Sequence, residues 1–85
     1  MKVIIPDVLQ SYTGAHEIDG VGNSIADVFD DMEARFPGIR FRVINELDEL
    51  RPHIKLFING ERTTTLDAAL TEDDELFIMQ ALSGG

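Results

Sequence analysis

The sequence contains no cysteine and few basic residues, and both shortages exclude classes of function. Without cysteine, the chain has no disulfide, iron–sulfur cluster, thiolate zinc site or cysteine nucleophile. Seven Lys and Arg residues against 16 acidic ones give a net charge of −9, which argues against nucleic acid and anionic membrane surfaces as partners. We therefore expect a protein partner with a basic docking face. We also expect a cytoplasmic location, because a small domain without disulfides fits a reducing compartment.

Long hydrophobic runs are also missing. The apolar run at residues 3–5 is ended by Pro6, so it is too short for the core of a signal peptide. The longest later run, residues 76–79, has the length of a strand and not of a membrane span. With 85 residues, of which 44% are hydrophobic, the chain has the size and composition of one small folded domain.

The clearest periodic pattern predicts one helix over residues 24–36. Ser24 and Asp27, three residues apart, form a capping-box signature at its start, and Pro37 with Gly38 ends it. Five apolar residues recur at helical spacing: Ile25, Val28, Phe29, Met32 and Phe36. We expect this apolar stripe to pack on a sheet.

β-Branched or alternating apolar residues predict the strands of that sheet. The predicted strands are residues 3–5, 15–19, 54–58, 61–63 and 75–80. The first two form a hairpin around a loop at residues 11–14, and Asn59-Gly60 is a strong hairpin signal for the next two. The last strand is apolar on both faces, so we place it in the centre of the sheet, parallel to the first.

Two connecting segments carry mixed signals. Residues 39–44 alternate apolar and arginine side chains, which predicts a short strand or an irregular turn, and residues 66–70 look like a single helical turn. The order of elements is that of an α+β fold, the ubiquitin-like β-grasp, with a mixed sheet of four to five strands and one main helix packed across it. We assign residues 1–80 to this domain and residues 81–85 to a flexible C-terminal tail.

No catalytic or metal-binding constellation is visible in the sequence. His16 and His53 have no spaced partner that would make either of them a ligand or a base. The acidic clusters lack the oxygen spacing and the glycine of a calcium loop. Ser24 and Ser83 have no evident base. We therefore predict that the protein is not itself an enzyme and that it binds no metal and no cofactor.

The tail has a chemistry of its own. Gly84 and Gly85 lack Cβ atoms, so the backbone can thread a narrow channel, and Ser83 belongs to the same threading segment. The unhindered carboxylate of Gly85 can be activated as an acyl-adenylate by a partner and then attacked by a nucleophile. Five extended residues span about 17 Å, enough to reach another protein's active site. That the two glycines are incidental stays open at this point.

Three parts of the sequence carry a resemblance to a known family. They are Ile58-Asn59-Gly60-Glu61, the entry to the last strand at residues 74–78, and the terminal Gly84-Gly85. With the order of elements, they make the chain similar, over essentially its whole length, to the ubiquitin-like sulfur-carrier family, of the type of the molybdopterin synthase small subunit and the thiamine-pathway sulfur carrier. Many relatives have prolines and Val-Ala before the glycines, whereas residues 80–83 here read Gln-Ala-Leu-Ser. This departure favours carriers for cysteine or siderophore biosynthesis, and the branch stays open.

The resemblance implies a cycle in which the chain is a cosubstrate. A ubiquitin-activating-like adenylyltransferase uses ATP to adenylate Gly85, sulfur replaces the adenylate, and the resulting thiocarboxylate donates sulfide to an acceptor biosynthetic enzyme. Two alternatives stay open. A protein modifier would join the same Gly85 carboxylate to a lysine, and a plain β-grasp interaction module would not use the glycines at all.

A docking face for these partners is predicted from strand alternation. Phe57, Phe77 and Met79 point away from the helix and form an outward apolar patch, and we expect them, with Leu82, to dock the partner enzymes. The alternative is that residues 39–52 fold over this face and bury it.

Overall fold

The computed structural model describes residues 1–81 and contains a five-stranded mixed sheet in the order β2-β1-β5-β3-β4. The elements are β1 (Lys2–Ile4), α1 (Gln10–Thr13), β2 (Glu17–Asp19), α2 (Ile25–Arg35), α3 (Ile39–Val43), β3 (Ile54–Ile58), β4 (Glu61–Thr63) and β5 (Glu75–Gln80). The central strand, β5, runs parallel to its neighbour β1, and all other strand pairs are antiparallel. The predicted β-grasp fold is confirmed.

The core lies between the sheet and α2. Val3, Leu56 and Leu76 point to the helix side of the sheet and are fully buried. They meet the apolar stripe of α2, of which four residues are fully buried: Ile25, Val28, Phe29 and Met32. Burial of this apolar surface is the main favourable term for a domain of this size.

Helix α2 begins where the sequence predicts. The Oγ of Ser24 accepts a hydrogen bond from the Asp27 amide at 3.2 Å, and the Asp27 carboxylate accepts one from the Asn23 amide at 3.4 Å. The first two amides of the helix find their acceptors in a distant segment, because Ile25 N donates to Ala68 O and Ala26 N to Leu66 O. The segment that we predict as a helical turn, residues 66–70, forms no helix, so that prediction is wrong. It contains a turn at residues 66–67, which the Ala68 amide closes by donating to Thr65 O at 3.4 Å, and it covers the N-terminus of α2.

Residues 39–43 are helical, so the predicted strand or irregular turn is also wrong. Ile39 and Val43, four residues apart, are both fully buried, whereas Phe41 between them is exposed. The carboxylate of Glu33 accepts hydrogen bonds from the amides of Gly38 at 2.8 Å and Arg40 at 3.0 Å and so caps the start of α3. The Gly38 hydrogen bond and then the Arg40 one hold the pKa of Glu33 below its usual value. The predicted loop at residues 11–14 is also wrong in part, because residues 11–13 belong to the short helix α1.

The turn after β3 is tied to the start of β5 through one side chain. Asn59 Nδ2 donates to Asp74 Oδ1 at 2.7 Å, and Asn59 Oδ1 accepts from the Glu75 amide at 2.9 Å. The backbone amide of Asn59 also donates to the Glu75 carbonyl at 2.9 Å. Both turn residues have positive φ, 51° at Asn59 and 87° at Gly60, as a tight hairpin turn requires. We call Asn59, Asp74 and Glu75 the turn clamp.

The turn clamp fixes where β5 starts. The Asp74 carboxylate also accepts the Thr71 amide at 2.8 Å, and this bond, followed by that from Asn59, keeps the pKa of Asp74 below its usual value. Because the clamp joins the turn to the first residue of β5, it sets the register of β5 against β3. Two of the sequence features that carry the family resemblance, residues 58–61 and residues 74–78, are thus joined by hydrogen bonds into one unit.

Substitution of Asn59 separates the two roles of this residue. We expect Asn59→Gly to lose the side-chain bonds and to lower the free energy of unfolding by about 1 kcal/mol. Asn59→Ala should cost about 1 kcal/mol more, because alanine is strained at the positive φ that glycine adopts freely. Urea unfolding of the wild type and both variants checks this. Equal stability of the two variants would show that backbone strain at residue 59 is unimportant.

Candidate functional site

The outward face of the sheet carries an apolar patch. Phe57 and Phe77 are direct cross-strand partners whose ring centroids lie 6.3 Å apart, edge to face. Met79 lies two residues after Phe77 in β5, on the same face of the sheet, and its cross-strand partner is Lys55. Phe77 and Met79 are 39% and 36% exposed, and Phe57 is half-buried. We call Phe57, Phe77 and Met79 the outer patch. The strand alternation predicted from the sequence is that of the structure, and the docking role stays a prediction.

The alternative, in which residues 39–52 fold over this face, is not what the structure shows. The helix α3 packs its buried side chains, Ile39 and Val43, into the core that α2 also lines. The connection that follows is held there, since Arg51 N donates to Val43 O at 2.9 Å. Among residues 1–81, these segments therefore leave Phe77 and Met79 accessible.

Charges of opposite sign flank the outer patch. On the β3–β4 side, Arg62 is the cross-strand partner of Phe57, and Lys55 that of Met79. On the other side, Phe77 pairs with Ile4 of β1, whose partner on β2 is Glu17. Lys2 of β1 lies between two carboxylates, at 4.0 Å from Glu17 and 3.9 Å from Glu75 of β5. A partner that binds the outer patch thus meets a basic border on one side and a largely acidic one on the other, which defines its orientation.

Strand β5 ends beside the start of β3. The amide of Ala81, the last described residue, donates to the carbonyl of His53 at 2.7 Å. Four residues with a predicted role, Leu82, Ser83, Gly84 and Gly85, lie outside the described residues. What the structure provides is their attachment point, at the end of a strand hydrogen-bonded on both sides over part of its length.

The other sequence candidates do not form a site. His16 and His53 are exposed, and each lies on a different connection. Within residues 1–81, no group of three or more His, Asp or Glu side chains could hold a metal ion. No helix in that range is long and apolar enough to cross a membrane.

Sequence reasoning missed one cluster, in which Phe41, Arg42 and Arg51 meet His53 near the end of β5. No periodic signal indicates it, because its members come from two segments that meet only in the fold.

Comparisons with known proteins agree with this architecture. The model of the ThiS family matches residues 3–85. The sulfur carrier protein CysO of Mycobacterium tuberculosis is 27% identical over 91 residues, covering 100% of this chain and 98% of that protein. In the crystal structure of the Amycolatopsis orientalis BexX/CysO complex, the matching chain has 31% identity and a TM-score of 0.90, with 99% and 98% of the two chains covered.

A third similarity is to the small archaeal modifier protein 1 of Methanosarcina acetivorans. Its solution structure has 26% identity and a TM-score of 0.82 and covers 99% of this chain and 94% of that one. The family match spans nearly the whole sequence and includes both terminal glycines. Together with the β-grasp sheet, it assigns the chain. The protein belongs to the ThiS family and is a ubiquitin-like sulfur carrier.

Proposed function

We propose that the carrier acts through the carboxylate of Gly85. In the first step, a ubiquitin-activating-like adenylyltransferase joins this carboxylate to the α-phosphate of ATP and releases pyrophosphate. A sulfur donor then displaces AMP, which leaves a thiocarboxylate whose sulfide passes to an acceptor biosynthetic enzyme. The observation that carries this proposal is the terminal Gly84-Gly85, which follows shortly after a central core strand and falls within the family match.

In this proposal, the chain contributes the folded domain that partners bind and the carboxylate of Gly85 that reacts. The catalytic groups for both steps belong to the partner enzymes in this proposal, as the similarity to sulfur carrier proteins suggests. No cofactor needs to be bound by the carrier, since ATP is consumed on the activating enzyme. The similarity to CysO proteins favours an acceptor in the cysteine or secondary-metabolite branch, and one of those relatives forms a complex with BexX. All of these steps belong to a cytoplasmic pathway in this proposal.

The outer patch is the docking surface in this proposal, together with Leu82. Phe57 and Phe77 are cross-strand partners and Met79 lies on the same face of β5, whereas exposed apolar side chains such as Val21 lie outside the strands. Aromatic side chains at the centre of a polar border are the usual source of binding energy in protein interfaces. Two of its three residues, Phe77 and Met79, lie on β5, the strand that leads to the tail, so a partner that binds the patch is positioned to receive Gly85.

A second candidate function is protein modification. The similarity to the small archaeal modifier protein 1 supports it, because the same activated Gly85 can acylate a lysine with release of AMP. Recovery of Gly85 in amide linkage to target lysines in cell extracts would favour modification. Unchanged activity of a chain lacking Gly84 and Gly85 would instead favour a plain interaction module.

Loading of Gly85 with sulfur is the direct test of the proposed function. The carrier is incubated with its candidate adenylyltransferase, ATP and a sulfur donor, and its intact mass is measured. We expect a species heavier by the mass difference between sulfur and oxygen, and none from a chain that lacks Gly85. No such species with any candidate enzyme would refute the sulfur-carrier mechanism proposed for this chain.

The threading role of the tail is tested by adding one methyl group. We expect Gly84→Ala to reduce sulfur loading at least tenfold, because the new Cβ restricts the backbone and meets the channel wall. The free energy of unfolding should not change, since a terminal tail adds little to core packing. Ser83→Ala is the matched control, because it introduces no new Cβ and should load nearly normally. Equal loading of Gly84→Ala and Ser83→Ala would argue against a narrow channel.

The outer patch is tested by Phe77→Ser. We expect affinity for the adenylyltransferase to fall about tenfold or more, which is typical of a central aromatic anchor. Val21→Ser is the control, because Val21 is also exposed, at 63%, but lies outside the patch. Isothermal titration calorimetry measures binding, and circular dichroism follows folding. Unfolding of Phe77→Ser would show that Phe77 is needed by the core, and unchanged affinity would remove the patch from the interface.

A further inference from the structure

A small cleft lies where the chain leaves β5. It has a volume of about 290 Å³ and is lined by Phe41, Arg42, Arg51, His53, Ile54 and Gln80. The hydrogen bond from Ala81 N to His53 O places the first tail residue beside it. We call this the exit cleft. None of its lining residues is acidic, although the protein has a net charge of −9.

Arg51 is held in a fixed orientation in the exit cleft. Its Nε donates to the carbonyl of Phe41 at 2.7 Å, and its guanidinium carbon lies 4.5 Å from the centroid of the Phe41 ring. Among residues 1–81, no carboxylate forms an ion pair with Arg51, whereas Arg40 nearby is paired with Asp30 and Asp48, both at 3.2 Å. Within the described residues, the two terminal nitrogens of Arg51 have no acceptor, and they form the planar pair of donors that matches a carboxylate.

The distribution of charge singles out this cleft. Five of the seven Lys and Arg residues fall between positions 40 and 62. A neighbouring open cleft also contains Arg40, Arg51 and Arg62, but acidic side chains line it too, among them Asp48 and Asp67. In the exit cleft, the cations of Arg42 and Arg51 face no acidic side chain from the lining residues. A negatively charged group is thus favoured there and disfavoured over most of the remaining surface.

We propose that the exit cleft binds an acidic segment of the adenylyltransferase, with an Asp or Glu carboxylate on Arg51 and an apolar neighbour on Phe41. This inference rests on the proposed function, because that enzyme is the protein that receives the tail. Phe41 is 56% exposed, so it can contact the apolar neighbour while its ring supports the guanidinium. The nucleotide is a poorer occupant, because four residues span about 14 Å when fully extended, so Gly85 can reach a nucleotide site well away from the cleft. The contact fixes the base of the tail and so aims Gly85 into the active site.

Binding and loading of arginine variants test this proposal. The probe is the adenylyltransferase that loads wild-type Gly85 in the mass assay. We expect Arg51→Gln and Arg42→Gln each to raise the Kd of the carrier at least fivefold, and Arg51→Lys to restore part of the loss, since lysine keeps the charge but not the planar fork. The salt dependence of the Kd should become shallower in both Gln variants. Arg35→Gln, on the far end of α2, is the charge-matched control and should bind normally.

The outcomes separate this inference from the proposed function. Failure of every adenylyltransferase to load the wild type refutes the proposed function. Normal loading of the wild type, with the same Kd for Arg51→Gln, Arg42→Gln and Arg35→Gln, refutes only the exit-cleft contact. An increased KM for ATP at unchanged carrier Kd would also overturn it, because the cleft would then serve the nucleotide. The side chain of Arg42 forms no hydrogen bond or ion pair within the described residues, so the Arg42→Gln variant stays informative if Arg51→Gln perturbs the local fold.

Discussion

The structure depends on one constraint, the parallel pairing of the first and the last strands in the middle of the sheet. Strand β5 pairs with β1 on one side and with β3 on the other, and its inward residues, Leu76 and Ile78, are buried against the core. The chain segment that leads to the reactive terminus is therefore among the best-held parts of the domain. A partner that binds the folded domain therefore also fixes the position at which the tail begins. A carboxylate that has to be oriented in an active site requires such a fixed starting point.

The sequence predicts the parts of this fold that depend on local pattern. A side-chain period of two, together with the Asn59-Gly60 turn, fixes which residues of β3 and β5 face outward, so the outer patch can be placed without a structure. Helix α2 is predictable because its apolar stripe spans three turns. Helix α3 is not, because in so short a segment the alternation of Ile39, Phe41 and Val43 also fits an i, i+4 pair. Its cap, Glu33, and the companions of Arg51 come from other segments, and only the tertiary fold brings them together.

In the proposed interfaces, charged and apolar residues on different parts of the molecule contribute to recognition in different ways. The acidic residues give the carrier a long-range field that attracts basic partner surfaces, and this field weakens as salt screens it. In the inferred contact, Arg42 and Arg51 act at short range, beside the point where the tail begins. An interface that contains both signs tolerates one orientation better than its reverse, so a small protein can present its terminus correctly to more than one enzyme.

The two edges of the sheet have a consequence for solubility. Strands β2 and β4 have three residues each, and charged side chains such as Glu17, Asp19, Glu61 and Arg62 occupy most of their positions. Short, charged edges are poor templates for the addition of a further strand. A carrier has to diffuse freely between enzymes while it exposes an aromatic surface, and self-association through its backbone would remove it from circulation. Because its edge strands are short and charged, the molecule can expose the outer patch without adding further copies of itself at the edges of the sheet.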